Sequence, residues 1–134
     1  MNRYLVDSSV FVAVLRGREP ARKLLESIAG EIVTSSVCLA ELYEGVYRSK
    51  KQVENERSLL KFLTTFDGIL TFGTQEANMF GKLKVLLKQK PIPDMDLQIA
   101  ATCIQNDSTL VTYDERHFNQ VPHLNILNPQ SAIN

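Results

Sequence analysis

Tryptophan is absent from this 134-residue chain, cysteine and histidine occur twice each, and neither sign of charge is in excess, with 15 Lys and Arg against 15 Asp and Glu. That balance excludes a histone-like polycation and a charged disordered tail. No apolar run exceeds the six residues Val10–Leu15, whereas a bilayer-spanning helix needs ~20. Asp7 interrupts any signal peptide before that run. The expectation is a soluble, cytoplasmic protein that does not meet a membrane. Cys38 and Cys103 lie in apolar helical contexts without CxxC spacing or a nearby histidine, so they read as buried free thiols in a reducing compartment. No repeat, low-complexity tract or linker divides the chain. A single domain over residues 1–134 is expected, and a chain of this size buries roughly 70% of its unfolded surface.

What is present is an alternation. Tyr4–Val6 reads as a short buried strand, after which Asp7, Ser8 and Ser9 supply capping side chains for a helix through Val10–Leu15. Pro20 opens a second helix with apolar Leu24, Leu25 and Ile28, and Gly30 stops it. A strand over Glu31–Thr34 follows. Ser35 or Ser36 can cap the next helix, in which Leu39, Tyr43, Val46 and Tyr47 form an apolar stripe. Leu59, Phe62, Leu63 and Phe66 repeat that spacing in a helix over residues 53–66. A strand over Ile69–Phe72, a lysine-rich helix from Thr74, a helix that Asp94 can cap, and strands at Thr109–Thr112 and Asn125–Leu127 complete the series. Such a βαβ alternation predicts an α/β fold: a three-layer α/β/α sandwich around a short central parallel sheet.

Ligands of such sheets bind at the carboxyl ends of the strands. Asp7 ends the first strand and Asp114 follows the Thr109–Thr112 strand, so both point to one edge. Asp96 lies in the first turn of its helix, aimed at the same edge, and Glu41 or Glu44 lies on the helix after the second strand. Singly, each reads as a cap, a dipole partner or a solvated charge. Together, carboxylates gathered without a fixed Lys or Arg cannot all ionise at close range without a counter-charge. Mg²⁺ or Mn²⁺ suits such hard oxygen donors and activates water for phosphodiester hydrolysis without a Ser or His nucleophile. The two histidines, His117 and His123, complete no plausible triad.

In order and spacing, Val6-Asp7-Ser8-Ser9, Ala40-Glu41-Leu42 with Gly45, Asp96-Leu97-Gln98-Ile99-Ala100-Ala101, and Leu110-Val111-Thr112-Tyr113-Asp114 with His117-Phe118 resemble the PIN-domain nucleases, and among them the VapC-like toxins of type II toxin–antitoxin pairs. The resemblance implies that Asp7, Glu41, Asp96 and Asp114 are the catalytic, metal-binding acids, which favours Glu41 over Glu44. It also implies that Ser8 and Thr112 support the site by hydrogen bonding. It further implies a small α/β/α sandwich, a homodimer, Mg²⁺- or Mn²⁺-dependent endonucleolytic cleavage of RNA, and a cognate antitoxin that places a basic side chain at the acids. Asp94 is expected to be a cap, and His117 to pack or turn the chain rather than catalyse.

Setting the four acids aside leaves 15 basic against 11 acidic residues, so overall neutrality does not oppose a nucleic-acid substrate. Arg16 and Arg18, which follow the helix begun at Asp7, are the expected RNA contacts. Tyr43, Val46 and Tyr47 with the Leu59/Phe62/Phe66 helix offer an apolar groove for a partner, although core packing is the better expectation for them. One rival is a receiver-like, Mg²⁺-binding phosphoacceptor, which lacks support here because no Lys follows the last strand and Asp7 precedes two serines. Another is an inactive PIN module that only binds protein or RNA.

Overall fold

In the computed structural model of the chain, which describes residues 2–132, the alternation becomes β1 (Arg3–Val6), α1 (Ser8–Leu15), α2 (Glu19–Ser27), β2 (Glu31–Ser35), α3 (Ser36–Arg48), α4 (Gln52–Leu63), β3 (Gly68–Leu70), α5 (Thr74–Leu86), α6 (Asp94–Gln105), β4 (Ser108–Val111), α7 (Glu115–Phe118), β5 (Ile126–Leu127) and α8 (Pro129–Ala132). Met1, Ile133 and Asn134, which the single-domain expectation includes, lie outside the described residues. The five strands form one sheet in the order β3-β2-β1-β4-β5, and every pairing is parallel. Receiver-like sheets run 2-1-3-4-5, so the observed order disfavours that rival.

Strand alternation splits the core between two faces. Leu5, Val33 and Leu110 point to one side and pack with Leu83, Leu97, Ala100, Ala101 and Phe118. Val6 and Val111 point to the other side and meet Val10, Ala13, Ala21 and Leu24. The sheet is therefore covered by α5 and α6 on one face and by α1 and α2 on the other, as a period of two requires when both faces are apolar. Phe11, Leu42, Val46 and Leu59 form a third cluster that joins α1, α3 and α4.

Several boundaries differ from the sequence reading for local reasons. Helix α4 stops at Leu63 rather than Phe66, because the Thr64 and Thr65 hydroxyls donate to the Lys61 and Phe62 carbonyls at 2.6 and 2.7 Å and compete with further helix. Strand β3 is Gly68–Leu70 rather than residues 69–72; its ladder with β2 ends at Ser35↔Leu70, where β2 gives way to α3. Strand β4 ends at Val111 because its partner β1 ends at Val6. On α3 the buried residues are Val37, Cys38, Leu42 and Val46. Tyr47 is 64% exposed, so the expected stripe is rotated about the helix axis.

Two glycines are tied to backbone geometry. A Cβ at Gly30 would lie 2.6 Å from the Asn2 carbonyl oxygen, which accepts the Glu31 N–H at 2.8 Å and starts β2 beside β1. Gly17 adopts φ +76° and turns the chain after α1, with Arg18 N–H donating to Ala13 O at 2.9 Å. Both cysteines are buried and free, as expected, and burial pushes the Cys38 thiol up to about 12.

The start of α3 depends on one side chain. Ser35 is fully buried, and its Oγ accepts the Cys38 N–H at 3.0 Å. Ser35→Ala removes this cap and leaves a buried donor unpaired, which costs about 1–2 kcal/mol. The expected readout is a lower urea midpoint with an unchanged slope.

Candidate metal centre

Strand register builds the centre. Val6 pairs with Val111, so the next residue of each strand, Asp7 and Thr112, leaves the sheet side by side at its carboxyl edge. This is the point where the sheet order turns outward in both directions from β1, the usual position of a ligand crevice. Asp7 is 5% exposed and caps α1: its Oδ1 accepts the Ser9 N–H at 3.0 Å and the Ser9 hydroxyl at 2.5 Å. Its Oδ2 accepts the Thr112 hydroxyl at 2.6 Å. Burial raises the Asp7 carboxyl above its ordinary value despite the opposing hydrogen bonds of Ser9 and Thr112.

The second acid comes from α3, whose start at Ser36 beside the end of β1 lets Glu41 reach α1. Ser8 Oγ donates to Glu41 Oε1 at 3.1 Å. Burial raises the Glu41 carboxyl, the Ser8 hydrogen bond lowers it, and repulsion from Asp96, Asp7 and Glu44 raises it further. Glu44 itself turns outward to pair with Arg48 at 2.8 Å.

Asp96 and Asp114 complete the set from the far side of β1. Asp96, in the first turn of α6, lies with its Oδ2 2.9 Å from His117 Nδ1. Burial raises its carboxyl, the His117 hydrogen bond opposes this, and the Asp114 charge raises it again. Asp114 sits at the N-cap position of α7. Its backbone N–H donates to Thr112 Oγ1 at 2.9 Å, so one threonine hydroxyl fixes two of the acids. Its Oδ2 is 3.7 Å from His117 Nδ1, and Asp96, Asp114 and His117 each offer one ligand atom within 4.8 Å of the others.

The structure thus brings Asp96 and Asp114 into one ligand cluster, with Glu41 within electrostatic reach of Asp96 and of Asp7. Ser8 and Thr112 make the hydrogen bonds expected of them. Ser9 and His117 carry more than the sequence suggested. Ser9 Oγ bonds Asp7 and also accepts the Tyr113 N–H at 3.1 Å; His117, expected to pack or turn the chain, faces two acids. The i, i+3 spacing of Asp114 and His117 on one helix was the available signal. Asp94 caps nothing: Pro93 holds the N-cap position, and Asp94 pairs with Lys84. Arg16 ends α1, about 13.5 Å along its axis from Asp7, and the Arg18 guanidinium lies 5.9 Å from the Tyr113 ring centroid.

Among the described residues, no Lys or Arg pairs with any of the four acids; burial raises the carboxyls of Asp7, Glu41 and Asp96, and repulsion from neighbouring acids adds to it at Glu41 and Asp96. An oxygen-rich donor set with uncompensated negative charge fits a hard divalent cation.

A family model described as PIN domain matches residues 4–124. Ribonuclease VapC2 of Rickettsia felis is 34% identical over 126 residues, covering 90% of this chain and 93% of that protein. Ribonuclease VapC2 of Haemophilus influenzae is 30% identical over 125 residues, again covering 90% and 93%. The crystal structure of VapBC2 from Rickettsia felis, bound to a DNA fragment from its promoter, superposes with a TM-score of 0.87 at 32% identity, over 94% of this chain and 98% of that one.

A raised carboxyl in the folded state favours the fold below the unfolded value of ~4, and that contribution is lost as pH rises through the folded value. In chelator at pH 7.5, Asp7→Asn removes a buried charge while keeping a capping side chain, so the melting temperature is expected to rise by about 3–6 °C. The gain should shrink as the pH is lowered toward 4. A lower melting temperature at pH 7.5 would contradict the charge-burial account.

Proposed function

The chain belongs to the PIN domain family, and from that premise we propose that it is a metal-dependent endoribonuclease, a single-domain toxin neutralised by a cognate antitoxin. The observation that carries this reading is the convergence of Asp7, Glu41, Asp96 and Asp114 at the carboxyl edge of the sheet with no Lys or Arg among the described residues paired to them. Two relatives named ribonuclease support the RNA substrate. A cytoplasmic setting follows from that substrate, and no helix among the described residues is long and apolar enough to cross a membrane.

In this reading the four acids hold Mg²⁺ or Mn²⁺. A cation held by these carboxylates would supply Lewis-acid activation of water and charge neutralisation for phosphodiester hydrolysis. The protein's own part is positioning. Thr112 and Ser9 lock both oxygens of Asp7, Ser8 orients Glu41, and the bond from Thr112 to the Asp114 backbone sets the turn that presents that carboxylate. No Ser or Cys nucleophile is required. Arg18 follows a tight turn toward Tyr113, the residue before Asp114, and is better placed than Arg16 to meet substrate phosphate.

In this reading an antitoxin needs a docking surface on the toxin, and a matching surface exists here. An apolar groove lined by Phe11, Val12, Leu15, Leu42 and Val46 ends at Ser8 and Glu41. It runs along α1 and α3; Phe11, Leu42 and Val46 form its buried floor, and Val12 and Leu15 are its exposed apolar residues. An antitoxin segment in this groove would bring a basic side chain to the acids. A homodimer would cover the exposed Val85, Leu86 and Met95.

Asp7→Asn and Asp96→Asn are each expected to lower RNA cleavage by about 10²–10³-fold, the usual loss when one preorganised stabilising group is removed. The measurement is cleavage of total RNA by purified protein with Mn²⁺, with and without chelator; unchanged cleavage by Asp7→Asn would overturn the assignment. Val12→Glu, placed in the groove, should weaken antitoxin binding by about tenfold or more, or 1.4 kcal/mol, while free-toxin cleavage persists. Calorimetric titration with the antitoxin checks this.

A further inference from the structure

We propose that His117 is a nitrogen ligand of this centre, which makes it a mixed nitrogen–oxygen site that selects Mn²⁺ over Mg²⁺. The inference rests on the metal-dependent reading above and concerns the identity of the donors. Asp114 and His117 are one turn apart around α7, so their side chains leave the same face and meet the start of α6. The neighbouring Phe118 is 1% exposed and belongs to the core. His117 is turned to the acids instead, with 31% of its side chain exposed.

The distances distinguish a ligand from a simple hydrogen-bonding partner. His117 Nδ1 lies 2.9 Å from Asp96 Oδ2 and 3.7 Å from Asp114 Oδ2. The first distance is a hydrogen bond; the second is too long for one. A ring serving only to orient Asp96 has no need of Asp114, yet the same nitrogen faces both carboxylates. Bonds of about 2.1 Å place adjacent ligands of an octahedral ion about 3 Å apart and opposite ones about 4.2 Å apart. One atom from each of the three residues lies within 4.8 Å of the others, so small side-chain adjustments bring all three into one coordination sphere.

An imidazole donor changes which cation is preferred. Mg²⁺ takes oxygen ligands and dehydrates reluctantly, whereas imidazole suits first-row transition ions, whose affinities rise from Mn²⁺ onward. The three residues sit in the first turn of one helix and along the next, so their spacing is rigid.

The test is pulsed electron paramagnetic resonance of the Mn²⁺-loaded full chain, in which only the histidines carry ¹⁵N. A ¹⁵N coupling to Mn²⁺ is expected in the wild type and its loss in His117→Gln. In calorimetric titration, His117→Gln should weaken Mn²⁺ by about tenfold or more, within the 10–100-fold range for perturbed metal sites, and change Mg²⁺ affinity much less. Bound Mn²⁺ without any histidine coupling would overturn the inference and leave the metal centre standing. If the wild type binds no Mn²⁺, or Asp96→Asn binds it equally well, the metal reading of these acids fails instead. The wild-type spectrum alone decides the ligand question should His117→Gln fold poorly.

Discussion

A carboxylate taken out of water at the end of the central strand sets the terms for everything around it. Asp7 is nearly inaccessible, and a buried ionised carboxylate is tolerated only when its lone pairs are filled. Thr112, the adjacent residue of the neighbouring strand, and Ser9, in the first turn of α1, fill them. The same contacts tie β1, β4 and α1 together at one point. The parallel pairing of β1 with β4 is needed to set Thr112 opposite Asp7, and the helix dipole of α1 begins where the negative charge lies. The hydrogen bonds do not remove the cost of burial, since the carboxyl remains raised.

From that point the other acids follow by topology. Helix α3 starts from the buried Ser35 cap beside β1 and carries Glu41 to Ser8. Helix α6 covers the opposite side of the sheet and offers Asp96 from its first turn, and the turn after β4 returns Asp114 to the same edge. Each element is held by apolar packing next to its polar site residue: Leu42 and Val46 for α3, Leu97 and Ala100 for α6, Phe118 for α7. The apolar layers supply the stability, and the edge they create gathers like charges that would otherwise separate. Function and folding are in opposition there, which is why the centre calls for a cation.

The surface divides in the same way. On one side of the acids, an apolar groove between α1 and α3 leads straight to Glu41. On the other, His117 closes the cluster around Asp96 and Asp114. A partner that approaches along α1 therefore reaches the acids through Ser8 and Glu41 and not through His117.

The sequence by itself determined the α/β/α class, the parallel sheet and the strand-end positions of Asp7 and Asp114, because hydrophobic periodicity and capping residues are local properties that fold topology only assembles. It also determined, through the resemblance, that Glu41 rather than Glu44 faces inward, and the structure places Glu44 outward with Arg48. Of the expected α3 stripe, Val46 is buried and Leu39 and Tyr43 pack partly buried against α1 and α4, but Tyr47 is exposed and Val37, Cys38 and Leu42 are covered instead; only the position of the neighbouring elements decides this. The sequence reading assigned Asp94 a capping role that Lys84, ten residues earlier, takes away by pairing with it across α5 and α6. His117 and Ser9 were legible as residues but not as parts of the centre. What they touch, Asp96 from another helix and Thr112 from another strand, is fixed by packing between elements distant in sequence, and no local pattern records it.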